Sequence, residues 1–387
     1  MRPGLGVNIV REVFYAVVMT TSVGGPTLAQ LREYAAARTL QTGATVQAAI
    51  DRLGFVQADP IRAPARAQDL ILMQRVQTYW AGELERRYSE LDVEEDMLPN
   101  YGFVTHEVHG LLHPRTLGEL KIEQDAPGLG ERVLEYVRTR GEAHPRQLEA
   151  EFGKTRVGNY WGGSSNAATR SLEALHRRGR LRVVRREKGV KVYGPARTGL
   201  PEPLSNQDRA LGIVQLLARL YAPLPRQSLG YLISLCGYGA PGLGTELRLA
   251  LKELEDGWLK SAKVEGLVYL WPADEPLDCV APPGVRLLAP FDPLVWDRRR
   301  FGHLHGWTYR FEAYTRPEKR TMGYYALPLL HAGKAVGWAN LSVTKPGLNG
   351  GELLSDVGLV PGVRRTATFE RALKAELERF RAFLGLT

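Results

Sequence analysis

Leu172-Glu173-Ala174-Leu175-His176-Arg177-Arg178-Gly179-Arg180-Leu181-Arg182-Val183-Val184-Arg185 runs from a helical stripe through a glycine into a strand. Ala168, Leu172 and Leu175 recur at helical spacing and Gly179 supplies the stop. Residues 181–185 and 190–193 then alternate as a hairpin turning near Gly189. Helix, glycine stop and two-stranded ribbon is the pattern of a winged helix. It recurs on both sides. Upstream, Val46, Ile50 and Leu53 lead to Gly54 and the strand Phe55-Val56. Downstream, Leu247, Leu251 and Leu254 lead to Gly257, then Trp258-Leu259-Lys260 and Leu267-Val268-Tyr269-Leu270 with Gly266 at the turn. Further helical sequence precedes each copy, at residues 28–38, at 132–140 and 145–152, and at 207–221.

The pattern therefore predicts an α+β chain of tandem winged-helix (helix-turn-helix) modules. Pro/Gly-rich stretches near 194–205 and 272–284 divide it. The expected organisation is an N-terminal extension (1–26), three modules (27–125, 126–200 and 201–283) and a β-rich C-terminal domain (284–387). In that last domain, residues 323–330 and 334–341 read as strands joined at His331-Ala332-Gly333. Phe369, Leu373, Leu377, Phe380 and Leu384 make one stripe of a closing helix.

The 387 residues are 44% hydrophobic and 24% charged, with a net charge of +9 and a pI near 9.5. The excess rests on Arg more than Lys, which favours a polyanionic partner because guanidinium binds phosphate in bidentate fashion. Cys236 and Cys279 form no Cys-x-x-Cys, so neither a disulfide framework nor a zinc ribbon is indicated, and a reducing, cytoplasmic setting is expected. The apolar run Val13 to Met19, behind Arg2 and Arg11, is about half a membrane span and reads as an extension, with Met19 an alternative start. No membrane association is expected.

Positive charge concentrates between Arg170 and Lys191, where nine Arg and Lys residues face Glu173 and Glu187. Arg170, Arg177 and Arg178 are candidate phosphate contacts, and Asn166, near the helix start, a candidate groove contact. Arg298, Arg299 and Arg300 form a second candidate run behind Asp297. A solvated helix face is the alternative for both.

For chemistry, the informative segment is Leu53-Gly54-Phe55-Val56-Gln57-Ala58-Asp59-Pro60-Ile61. In extended backbone Gln57 and Asp59 share a face, so an amide and a carboxylate would handle one water together. The plainer reading has Asp59 capping the turn opened by Pro60. His106, His109 and His113 share a helical face with Glu107 among them, but His-Glu-x-His is not the zinc-peptidase spacing, and no metal is expected. Residues 239–245 are Gly-rich but lack the lysine of a phosphate loop. No cofactor is indicated.

Residues 53–61 together with Ala65-Arg66-Ala67-Gln68-Asp69-Leu70 resemble the first module of the AlkZ-like (YcaQ-like) winged-helix DNA glycosylases. The resemblance continues in Thr105-His106-Glu107, in residues 288–300, and in Tyr309-Arg310-Phe311-Glu312-Ala313-Tyr314 with Lys319-Arg320, spanning roughly 27 to 385. It implies three winged helices around a basic concave surface, a β-rich C-terminal domain, and a catalytic Gln-x-Asp pair, here Gln57 and Asp59. Asp at the second place looks like the branch that unhooks nitrogen-mustard-type interstrand crosslinks and releases N7-alkylpurines. Ala58 departs from the larger aliphatic residue that such members carry between the pair. The resemblance also implies an open site that reads the lesion in place rather than a flipping pocket.

The expected partner is therefore double-stranded DNA carrying alkylated purines, bound by a monomer. Arg62, Arg66, Lys319 and Arg320 join the candidate DNA contacts. The competing reading is a winged-helix regulator or lesion sensor without chemistry. Regulators usually read paired half-sites as symmetric dimers, and no dimerising coiled coil is visible here.

Overall fold

The computed structural model describes residues 25–43, 45–158, 163–198, 202–344 and 351–386. The Val13 to Met19 run and the alternative start lie outside the described residues. Thr27 caps the first helix, Leu28–Thr39, by accepting the Gln30 N–H, and Gln30 returns the bond as a capping box. Thr45 caps the next, Val46–Leu53, which Gly54 ends at φ 67°. A Cβ there would also sit 2.4 Å from Leu216 Cδ1, so a side chain at this position would have to displace that leucine.

The strand that follows is Phe55–Gln57, and its partner is not the next segment. It pairs antiparallel with Tyr101–Thr105, whose other edge takes Val93–Met97. The first copy thus departs from the simple ribbon expected. The chain after Pro60 carries the apolar stretch Ala67–Met73, which coils into a helix with every residue buried before the sheet resumes.

The middle of the chain follows its sequence pattern more closely. Helices Leu129–Arg140, Pro145–Phe152 and Ala167–Arg177 precede a hairpin of Leu181–Glu187 and Val190–Pro195, and Lys188 and Gly189 turn it at positive φ. Val133, Val137, Leu148, Leu172, Val183 and Tyr193 form its own core. Next come helices Asn206–Tyr221, Arg226–Gly239 and Gly244–Glu255, then strands Leu259–Val264 and Leu267–Pro272, turned at Glu265-Gly266. A four-stranded antiparallel sheet of Val285–Leu287, Leu327–His331, Lys334–Val343 and Leu353–Leu359 follows, closed by the helix Ala367–Leu384. The whole is a mixed α/β chain of helices with several small antiparallel sheets.

One apolar core runs through the first, third and last of these groups, joining Ile50 and Leu72 to Leu217, Leu287 and Phe380. A bidentate ion pair spans the same junction: Arg75 donates to both Asp292 oxygens at 2.7 and 3.0 Å, with side chains 2% and 0% exposed. The closing helix buries Glu376 and Phe383 as well as the expected Phe369, Leu373 and Phe380, whereas Leu377 is only half-buried. Glu376 is tolerated inside because it accepts from Gln74 Nε2 at 2.6 Å and from the Leu287 N–H at 3.0 Å. No helix among the described residues is long and apolar enough to cross a membrane.

Candidate active site

Gln57 is the last residue of its strand, opposite Gly102, and the ladder continues only as the Ala58 N–H bond to the Tyr101 carbonyl. Gly102 permits the approach, since a Cβ there would lie 2.4 Å from the Val56 carbonyl oxygen. Asp59 therefore sits one residue beyond the pleat. Gln57 is buried, its Oε1 receiving Asn100 Nδ2 at 3.4 Å, while its Nε2 has no partner among the described residues. Asp59 is half-buried: one carboxylate oxygen accepts the Ile61 N–H at 2.9 Å, and the other has no hydrogen bond among the described residues. Behind it, Gln68 Oε1 accepts the Asp59 N–H at 3.3 Å, and the Gln68 amide reaches Glu85, which also pairs with Arg66. Burial pushes the Asp59 carboxyl above its ordinary value of 3.8, and the Ile61 bond opposes the rise. The turn-capping role of Asp59 is thus real, and it leaves one oxygen for chemistry.

The C-terminal domain supplies the rest of the neighbourhood. Arg62, Ala63 and Pro64 face Tyr324, Tyr325 and Asn340 across an open groove of about 580 Å³. Tyr325 is 2% exposed and its hydroxyl has no hydrogen-bond partner among the described residues. Burial raises its phenol pKa, and the Asp59 carboxylate adds to the rise, which puts the two groups within electrostatic reach. Phe311 stands edge-on to Tyr325 at 5.4 Å and to Phe291 at 5.1 Å, so aromatic rings pack behind the Tyr325 side of the groove.

The candidate DNA contacts divide sharply. Asn166 is a helix cap, accepting the Ala168 and Thr169 N–H groups and donating to the Gly153 carbonyl. Arg66 is paired with Glu85, Arg170 with Glu173, and Arg178 with both oxygens of Glu123. Arg177 lies 4.0 Å over the Tyr238 ring. Arg300 is 1% exposed and donates to the Tyr221 and Pro293 carbonyls, so it has no surface to offer a phosphate and leaves the set. Arg298 donates to the Val295 carbonyl and lies over Tyr309, and Arg320 donates to the Thr315 carbonyl beneath Tyr324. Arg62, Arg299 and Lys319 are exposed and make no side-chain bond among the described residues.

Three further arginines in and after the basic hairpin are spent on buried acids, whereas Arg185 pairs at the surface with Glu142 and Glu187. Arg182 and Arg197 bind Glu94, and Arg186 binds Glu95. Glu94, Glu95 and Asp96 are consecutive buried acids on Val93–Met97, so this charge run joins two parts of the chain.

Comparison with known families matches residues 50–383 to the family described as DNA glycosylase AlkZ-like. The chain belongs to that family. Membership makes it a DNA glycosylase by class, a hydrolase of DNA repair whose substrate is DNA. The match includes Gln57, Asp59, Tyr325 and the loop that carries Lys319 and Arg320.

Within this glycosylase the three histidines part company. His113 Nε2 lies 2.9 Å from Asp96 Oδ2 and His109 Nε2 lies 3.6 Å from it, so Asp96, His109 and His113 are a group with metal-ligand reach. The same carboxylate, however, accepts Arg115 at 2.7 Å and the Met97 N–H at 2.8 Å. A guanidinium on the carboxylate opposes a second cation beside it, so the group reads as a hydrogen-bond hub. Burial above all holds His109 down to about 3 and His176 near 4, so both are neutral at physiological pH.

The sequence pattern did not assign Gln68, Asn100 or Tyr325 to this neighbourhood. Gln68 lies inside a stretch that carried the family resemblance, which was its only signal.

Proposed function

We propose that this chain hydrolyses the N-glycosidic bond of N7-alkylated purines in duplex DNA, bulky adducts and interstrand crosslinks included, using Gln57 and Asp59. The observation that carries the proposal is the Asp59 carboxylate. The Ile61 N–H holds one of its oxygens and the other remains unspent, Gln68 accepts the Asp59 backbone N–H, and the site stands beside a groove with Arg62 on its wall. An N7-alkylated purine is cationic and leaves without prior protonation. As the bond from C1′ to N9 breaks, its electron pair neutralises the base. Water then bonds to C1′, and its proton passes to Asp59. The ionised carboxylate also stabilises the oxocarbenium-like sugar, and the Gln57 amide orients the water. The surrounding framework is three winged-helix modules, 27–125, 126–200 and 201–283, with a β-rich domain from 284, acting as a monomer on the cytoplasmic nucleoid. An open groove suits a bulky lesion read in place.

The direct test is release from duplexes bearing one N7-methylguanine or one N7-linked interstrand crosslink, with alkali to reveal abasic sites. Cleavage at the lesion supports hydrolysis. Tight binding with no release on either substrate favours the sensor reading. No lysine belongs to the Gln-x-Asp segment, so borohydride is expected to trap no protein–DNA adduct during turnover. A trapped band would replace direct hydrolysis with a Schiff-base route.

The division among the cations gives a binding prediction. Arg62→Ala and Lys319→Ala are each expected to reduce the slope of log K against log salt by about 0.9, the value for one phosphate contact. Arg178→Gln, whose charge is already met by Glu123, is expected to leave the slope unchanged. Equal slopes in all three variants and the wild type would move the DNA path elsewhere.

A further inference from the structure

Between the helix Arg298–His305 and the strand Leu327–His331, residues 309–325 form a loop whose interior is tightly held and whose tip is bare. The buried Glu312 is the clasp. Its carboxylate accepts the Thr321 N–H at 2.8 Å, the Thr321 hydroxyl at 2.9 Å, the Met322 N–H at 2.7 Å and the Gly323 N–H at 3.3 Å, drawing the two ends of the loop together. The Thr315 N–H bonds the Glu312 carbonyl at 2.9 Å, and Arg320 Nε bonds the Thr315 carbonyl at 2.8 Å, so the turn at the tip is braced as well. On this braced turn Tyr314 is 85% exposed. Its only ring contact among the described residues is with Phe311, at 6.1 Å.

An exposed tyrosine on a loose loop is ordinary. One on a loop fixed by a buried carboxylate loses little conformational freedom on binding and presents a flat face in a set direction. Arg310, Arg316, Lys319 and Arg320 flank it in the chain, with Glu318, 3.5 Å from Arg316, the single acid between residues 313 and 320. Such a mixture of cations and an aromatic face suits a nucleic acid, since the cations hold phosphates while the ring stacks on a base. The ring also stands next to the candidate site. Tyr314 touches Phe311, and Phe311 touches Tyr325 on the wall of the groove that Arg62 shares.

We propose that Tyr314 is a stacking wedge, which enters the duplex beside the lesion and holds the step open toward Gln57 and Asp59. This rests on the glycosylase reading for its position, and its physical content is separate: a preference for DNA that is already unstacked. Inserting a ring between bases costs less where a base is missing or distorted, so the wedge would tell damaged from intact duplex.

The test compares wild type, Tyr314→Ala and Tyr314→Phe for binding to an intact duplex and to one with a stable abasic analogue, across a salt series. Lesion release is measured in parallel. The wild type is expected to prefer the abasic-analogue duplex. Tyr314→Ala is expected to lose about ten-fold in affinity for it, with the salt slope unchanged because no phosphate contact is lost, and Tyr314→Phe to retain the preference. Wild-type affinity in Tyr314→Ala would overturn the wedge. So would an equal loss on both duplexes with a shallower slope, which would make Tyr314 part of the general cationic surface. If the binding result holds and the wild type releases no lesion, the wedge stands and the catalytic reading fails.

Discussion

Asp59→Asn is expected to lower turnover on N7-alkylated duplex by about a hundred-fold or more, with DNA affinity nearly intact. Asparagine keeps an acceptor for the Ile61 N–H, so the turn survives, and removes only the group that takes the water's proton. Single-turnover release with saturating enzyme separates the two effects. Equal rates in variant and wild type would remove Asp59 from the chemistry. The pH dependence carries the same assignment. Burial raises the Asp59 carboxyl, so the acid limb of the rate profile should lie above the ordinary carboxylate value of 3.8, with activity lost as pH falls through it. For stability the sign reverses. The native state holds this proton more tightly than the unfolded chain does, so Asp59 lowers stability as pH rises through that window. Asp59→Asn should therefore unfold at the same temperature as wild type at pH 7, or higher. A marked loss of stability would show that the carboxylate is needed for the fold.

Asp292→Ala is expected to be the most damaging single change to the fold. It strands the Arg75 guanidinium, 2% exposed, with no counter-charge, and such losses cost about 3–5 kcal/mol. It also removes the acceptor of the Leu294 N–H at 3.0 Å. The pair holds the first part of the chain to the C-terminal domain, so the groove that both line should loosen with it. Urea unfolding monitored by tryptophan fluorescence reads the change. Replacing both partners, as Arg75→Met with Asp292→Leu, should recover much of the loss because no unpaired charge is then buried. A double variant no better than the single would place the cost in packing.

Periodicity made several elements legible to within a residue or two. Pro145–Phe152 coincides with the expected helix, and the final helix and the His331–Gly333 turn fall where their patterns put them. The Gln57 and Asp59 segment was legible as a candidate because it departs from apolar alternation at a strand end. Its supports were not. Asn100 comes from the bend that precedes the distant partner strand, and Tyr325 from the C-terminal part of the chain. The first copy's ribbon was misread because the second strand comes more than forty residues later, beyond the range of local pattern.

Charge shows the same division most clearly. Arg298, Arg299 and Arg300 are equivalent as sequence, yet they open the helix Arg298–His305, on which successive residues turn by about 100°. One therefore lies along Tyr309, one faces solvent and one is buried against backbone carbonyls. The arginines of the middle hairpin read as a phosphate track, but Glu94 and Glu95 lie 88 to 103 residues before the side chains they bind. By itself, then, the sequence determined the period of the helices, the glycine stops, the excess of arginine and the family. Those depend on neighbours in the chain or on residue identity alone. Which arginines remain free, which acid is left with an unspent oxygen and which tyrosine stands bare were decided by tertiary structure, because a charge is neutralised or exposed by whatever the fold places within a few ångströms of it.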